Sequence, residues 1–152
     1  MPDASIIAIN KRARTDYQIL DTFEAGLQLT GPEVKSCKKG QVNLKGSYAA
    51  ISAGSIPYLI GCHISPYKPA SQVQQNYDPT RSRRLLLRKK QIAMLIGKLK
   101  EKQYTLVPLA ITNKRGLIKV DLGLARGKKQ YEKRETIKRR EVDREILRRV
   151  KR

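Results

Sequence analysis

The chain of 152 residues has no tryptophan, one phenylalanine and one histidine, and aromatics make up only 5% of it. Sequence-tolerant single-strand binders stack bases on several exposed aromatic rings, so this composition argues against that mode. Acidic residues are also few: 13 in all, with 8 scattered singly through residues 1–125. A metal-dependent nuclease needs a carboxylate cluster, and none is present in the sequence. Cys37 and Cys62 form no CxxC pair and have no histidine pair nearby, so a zinc site is not expected. They read as buried or half-buried thiols in a reducing cytosol. His63, alone on an apolar stretch, reads as structural. No catalytic constellation, metal or cofactor emerges. Apolar runs such as Ile56–Ile60 fall far short of the roughly 20 residues that span a bilayer. The opening MPDASIIAIN has neither a basic leader nor a long apolar core, so a cytoplasmic location is expected.

What the chain has in excess is positive charge. Lysine and arginine number 33, for a formal net charge of +20. Self-repulsion of that size opposes compaction unless an anionic partner offsets it. Nucleic acid is the usual partner, because its phosphates release counterions to Lys and Arg. A membrane surface is disfavoured, since no segment pairs a basic face with a broad Trp/Phe/Leu face. The charge divides the chain at about residue 125. Residues 1–125 carry net +12, whereas residues 126–152 carry net +8, lack proline and hold one glycine, Gly127. A globular body and a basic C-terminal tail are expected.

The body reads as mainly β. Tyr17–Leu20 and Ala25–Leu29 have strand-like composition. Gly31–Gly40 reads as a short helix: Pro32 suits its first turn, Glu33 its positive end, Lys38 and Lys39 its negative end, and Gly40 its stop. Ser47–Ser52 and Ile56–Ile64 suit a hairpin about Ala53-Gly54-Ser55. A helix is expected from Asp78-Pro79, with Leu85, Leu86, Ile92, Leu95, Ile96 and Leu99 at near-helical spacing. Tyr104–Thr112 and Leu117–Leu124 read as strands; Pro108 implies an edge or a bulge in the first, and the second alternates cleanly. Such short strands with a helix among them and a basic surface suit a small closed barrel of the OB type with flanking α-helices. In the tail, Ile137, Val142, Ile146 and Val150 would form one thin apolar stripe on a helix. A stripe that thin does not fold alone at this charge density, so the tail is expected to be disordered when free and helical in an anionic groove.

Several residues have two chemical readings each. Asn10, Lys11 and Arg12 can meet RNA hydroxyls and phosphates, or form a solvated arm. Tyr17 can stack on a base or sit in the core with its hydroxyl bonded. Glu24, a carboxylate on a basic surface, can accept from a base or ribose or orient a neighbouring cation; otherwise it is a plain surface residue. Lys35 and Ser36 suit phosphate contact and helix capping equally. Arg81 and Arg83 read as phosphate clamps because arginine offers a planar bidentate fork. Leu85, Leu86 and Leu87 on one helix cannot all face a single core, since successive residues turn by about 100°. Gly127-Lys128-Lys129 lacks the Walker spacing and reads as a hinge with a basic patch. Lys133 and Arg134 suit either a polyanion or solvent.

In order and spacing, Phe23-Glu24-Ala25-Gly26-Leu27, Gly31 with Glu33-Val34-Lys35-Ser36, His63-Ile64-Ser65-Pro66-Tyr67, Asp78-Pro79-Thr80-Arg81 with Arg83 and Leu85-Leu86-Leu87, and Leu122-Gly123-Leu124-Ala125 with Gly127-Lys128-Lys129 resemble the bacterial SmpB family of SsrA-binding proteins over about residues 6–140. The resemblance implies an OB-fold body that binds the tRNA-like domain of transfer-messenger RNA (tmRNA) and brings alanyl-tmRNA to stalled ribosomes for trans-translation. The RNA-binding residues it implies are Asn10, Lys11, Arg12, Tyr17, Glu24, Lys35, Ser36, Arg81, Arg83, Leu86 and Lys119. Leu86 is the leucine it turns toward RNA. It gives Gly127, Lys128, Lys129, Lys133, Arg134, Lys138 and Arg139 to a tail that engages the small-subunit decoding centre and the empty mRNA channel. Elongation factor Tu is the expected partner on the alanyl-tmRNA complex, and the protein is expected to be monomeric. Glu132 stands where the family usually has Asp, which keeps the charge and lengthens the reach. Outside the resemblance, a general single-strand or ribosomal RNA-binding OB protein is the competing reading.

Overall fold

The computed structural model describes residues 4–70, 76–101 and 103–127. Within them the order is β1 (Ala4–Ile9), α1 (Ala13–Asp16), β2 (Tyr17–Leu27), α2 (Gly31–Lys38), β3 (Val42–Asn43), β4 (Tyr48–Ile51), β5 (Pro57–Ile60), β6 (His63–Ile64), a 3-10 turn at Lys68–Ala70, β7 (Arg83–Leu86), α3 (Lys89–Leu99), β8 (Tyr104–Lys114) and β9 (Leu117–Gly127). Antiparallel pairings run β8–β4–β5–β7–β2–β9 and return to β8, while β1 adds to the outer side of β8. β3 and β6 form a separate two-stranded ribbon.

The core fills the space inside this circuit. Ala25, Leu27, Leu59, Leu85, Leu106, Ile111, Val120, Leu122 and Leu124 meet there, joined by Cys37 from α2 and Leu95 from α3. The alternation expected for Leu117–Leu124 is realised up to Leu122: Ile118, Val120, Leu122 and Leu124 are buried and Lys119 and Asp121 half-exposed, but Gly123 is buried too. Burial of each large aliphatic side chain contributes about 1.5–3 kcal/mol. β8 and β9 carry a register shift between Pro108 and Ala110, so Pro108 sits at a bulge and not at an edge.

α2 forms where its end signals lie. Thr30 caps it: its Oγ1 accepts from the Glu33 backbone N–H, and the Glu33 carboxylate accepts from the Thr30 N–H. Gly40 follows the helix at φ +76°, a conformation that glycine adopts without strain.

Three expectations need correction. The two short runs at Tyr17–Leu20 and Ala25–Leu29 are one 11-residue strand, β2, with a bulge between Ile19 and Asp21. No helix starts at Asp78. The Asp78 carboxylate accepts from the Thr80 N–H and hydroxyl and forms a local turn. The leucine run is then extended: β7 is held between β5 and β2, and the helix begins only at Lys89. His63, read as a structural residue of an apolar stretch, is exposed on β6. In addition, β9 continues to Gly127, so strand pairing extends two residues past the charge boundary at 125.

Candidate nucleic-acid interface

The strand register assembles one outer face from three strands. Leu86 of β7 lies opposite Gly26 of β2, and Gly26 lies opposite Lys119 of β9. Directly paired residues on antiparallel strands share a face, so Leu86 and Lys119 point the same way. Glu24 is two residues from Gly26 and opposite Asp121, which adds both carboxylates to that face. Leu86 is 53% exposed although Leu85, beside it, is buried. Leu85 and Leu86 are divided by the two-residue period of a strand, not by the turn of a helix, and Leu87 follows just past the strand's end, half-buried.

Glu24 is ion-paired with Lys114 of β8. Asp121 is raised from its ordinary pKa: burial is the main cause, the Glu24 charge adds to it, and Lys114 opposes it. Lys114 is raised, mainly by its hydrogen bond to Glu24. The face therefore offers an apolar leucine, the amino group of Lys119 and a carboxylate pair that accepts hydrogen bonds.

Two grooves flank β1. The first is lined by Ile9, Lys11, Arg14, Phe23, Glu24 and Asp121, among others. The second, of about 730 Å³, is lined by Lys11, Arg12, Tyr17, Lys45, Tyr48 and Thr105, among others. Asn10 is a fixed corner between them: its Nδ2 donates to the Pro108 carbonyl at 2.9 Å, and its backbone N–H donates to Leu109 O at 2.8 Å. Tyr17 is half-buried against Ala13, Val107, Leu109 and Ala125, and it also borders the groove. Lys11 and Arg12 are exposed, as is Tyr48 at 48%. This groove combines three cations with two phenol rings, the chemistry that holds a phosphate beside a stacked base.

Three of the residues expected to contact RNA are turned wholly or partly to the protein interior. Arg83 is fully buried. Its Nε donates to Glu33 at 2.7 Å, its Nη1 to Cys62 O and Arg81 O, and its Nη2 to Tyr77 Oη and Pro79 O. All five donors are used inside the protein. Arg81 keeps some exposure, but the fork expected to clamp phosphate holds both oxygens of Glu33. Ser36 is buried with an unpartnered Oγ and has no surface to offer. Lys35, its neighbour, is exposed. Burial pushes the Glu33 carboxyl up, but the Arg81, Thr30 and Arg83 hydrogen bonds and the Arg83 charge outweigh it, so its pKa falls to about 2. This carboxylate ties α2, the 76–82 loop and β7 together, a structural role for motifs that read as RNA-binding.

The tail residues Lys128, Lys129, Lys133, Arg134, Lys138 and Arg139, and the apolar stripe among them, lie outside the described residues; Gly127 is exposed at the end of β9.

A family model described as SmpB protein matches residues 7–152. The chain belongs to the SmpB family. It is 52% identical over 149 residues to the SsrA-binding protein of Enterococcus faecalis, covering 98% of this chain and 95% of that one. It is 50% identical, with the same coverage, to the SsrA-binding protein of Halalkalibacterium halodurans. A chain in a solved structure described as "tmRNA-SmpB: a journey to the center of the bacterial ribosome" superposes with a TM-score of 0.66 at 46% identity, covering 86% of this chain and 93% of that one.

Of the SmpB residues expected from sequence, the fold gathers Glu24, Leu86 and Lys119 on one face and Lys11, Arg12 and Tyr17 beside a groove. Lys114, Asp121, Lys45 and Tyr48 were not anticipated. Nothing local marks them, because each enters through cross-strand register or through a groove whose walls come from distant segments. Gly26 stood inside the quoted Phe23-Glu24-Ala25-Gly26-Leu27 motif, but its role as the bed of Leu86 requires the β2–β7 pairing.

Proposed function

We propose that this protein binds transfer-messenger RNA in trans-translation, through the face built from Glu24, Leu86 and Lys119 and the adjoining groove of Lys11, Arg12, Tyr17 and Tyr48. The observation that carries this reading is the full-length likeness to SsrA-binding proteins, joined to the convergence of those residues from β2, β7 and β9. A folded RNA offers phosphates to the cations, a ribose or base edge to Glu24, and a shallow apolar surface to Leu86. Few aromatics are needed, because a prefolded RNA is recognised by its shape.

In this reading the circuit of strands is an OB-type barrel, and the tRNA-like domain of tmRNA is the part bound. The protein brings alanyl-tmRNA, in company with elongation factor Tu, to stalled ribosomes in the cytoplasm. The tail, with Gly127, Lys128, Lys129, Lys133, Arg134, Lys138 and Arg139, engages the decoding centre and the empty mRNA channel. Lys and Arg in that tail suit a channel walled by phosphate. RNA recovered with the protein from cells and sequenced should be dominated by one species with a tRNA-like end. A broad mixture of messages would instead mark a general RNA-binding protein.

A further inference from the structure

Lys114 stands on the outer face with Glu24, Leu86 and Lys119, yet it has no part in the RNA contacts assigned above. On β8, Ala110 lies opposite Asp121 and Thr112 opposite Lys119. Lys114 is two residues beyond Thr112, so its side chain leaves on the same side of the sheet. Its backbone is held on both flanks, opposite Leu117 of β9 and Ala4 of β1. The hairpin closes just beyond it, where Asn113 Oδ1 accepts from the Gly116 N–H at 2.9 Å. A fixed root thus sends a long side chain across β9, and its ammonium donates to Glu24 Oε2 on β2.

This ion pair meets a local conflict. Glu24 and Asp121 are directly opposed across β2 and β9, and like charges so placed repel. The Glu24 side chain is 41% exposed, so packing alone leaves it room to turn away from Asp121. Lys114 acts on both acids: its bond to Glu24 is the main cause of its raised pKa, and the Asp121 charge adds to it. With Oε2 engaged, the direction of Oε1 is set as well, because a carboxylate is planar and rigid. An exposed ion pair contributes little to stability. Its effect lies in where it puts the carboxylate.

We propose that Lys114 is a positioning residue for RNA recognition: it aims the Glu24 carboxylate, against the push of Asp121, at the hydrogen-bond donor that Glu24 accepts from. This rests on the reading of Glu24 as an RNA acceptor and adds the residue that holds it. Lys114 is then no phosphate clamp, although it is a cation on a basic protein.

The test measures binding of the full-length protein to the isolated tRNA-like domain of tmRNA over a salt series. It compares the parent with Lys114→Gln, Lys114→Arg, Glu24→Gln and the double variant Glu24→Gln/Lys114→Gln. Lys114→Gln should melt close to the parent and bind about tenfold more weakly, the loss of one well-aimed hydrogen bond to a charged group. Its slope of log affinity against log salt should stay within about 0.3 of the parent's, whereas loss of a phosphate contact lowers the slope by about 0.9. The double variant should bind no more weakly than Glu24→Gln alone, since Lys114 acts through Glu24. Lys114→Arg, which can still pair with Glu24, should recover most of the affinity. A slope lowered by about one unit with additive losses, or no loss in Lys114→Gln, overturns the proposal while the parent's binding stands. A parent that ignores the tRNA-like domain overturns the functional reading itself, and the role of Lys114 falls with it.

Discussion

Leu86 rests on the bare backbone of Gly26: a Cβ added at Gly26 would come within 3.2 Å of Leu86 Cβ and 3.3 Å of Leu86 Cδ1. The exposed leucine thus keeps its place because the residue paired with it has no side chain. Replacing Gly26 with valine should push Leu86 off the face, cost about 1–3 kcal/mol by overpacking, and weaken binding to the tRNA-like RNA. Leu86→Ala should leave stability within about 0.5 kcal/mol, because the side chain is largely in solvent. Its RNA affinity should still fall severalfold. Urea titration and a gel-shift assay on both variants separate the two effects.

Glu33 and Arg83 form a buried ion pair; losing Glu33 strands the Arg83 charge, and losing Arg83 leaves Glu33 with only the partly exposed Arg81. Glu33→Gln or Arg83→Met should destabilise the protein by about 3–5 kcal/mol. The pH dependence has a definite sign. The Glu33 carboxyl is lowered from 4.5 to about 2 in the folded protein. Its contribution is therefore complete above its unfolded value and disappears as the pH falls toward about 2. Melting curves between pH 7 and pH 2 should show acid destabilisation, and Glu33→Gln should flatten the part that this carboxyl supplies.

Asp121 faces Glu24 across β2 and β9, two like charges directly opposed. Its raised pKa means that protonation favours the folded state, so its penalty is absent at low pH and grows as pH rises through the folded value. Asp121→Asn should stabilise the protein by about 0.5 kcal/mol at pH 7, and the gain should vanish on acidification. A loss of RNA affinity in the same variant would place Asp121 in the contact.

The thiols of Cys37 and Cys62 are buried and free. Burial, the leading cause in both, helps push them up to about 12 and about 11 respectively. At pH 8 a disulfide reagent should modify neither at an appreciable rate in the folded protein, and both promptly in denaturant. Fast labelling of the native protein would contradict the described core.

Truncation should follow the strand, not the charge. Arg126 pairs with Tyr104 and Gln18, and Gly127 pairs with Tyr17. A chain ending at Gly127 should keep the melting temperature and the affinity for the tRNA-like domain but lose tagging on the ribosome. A chain ending at Ala125 should lose stability as well.

Much of this was legible in the sequence where the signal is local. α2 announces itself by Pro32, Glu33 and Gly40, and β9 by an alternation that the structure keeps from Ile118 to Leu122 and loses at the buried Gly123. The segment Arg83–Leu86 was misread as helix because a leucine run among arginines satisfies either period. Pairing with β5 and β2 decides the matter, and those partners lie far away in sequence. Arg83 was misread for the same reason, since a lone arginine looks solvated until a carboxylate 50 residues earlier is seen to meet it. Glu24, Leu86 and Lys119 were singled out by family likeness; the register that unites them has no local signature.

The Glu33 junction has a consequence for exchanging parts among related proteins. A graft that brings in a new α2 without its own 76–83 segment would seat a carboxylate with no guanidinium to receive it, or the reverse. These two stretches should be transplanted as a set, and single-site libraries that treat them as independent would underestimate how many sequences the fold can accept.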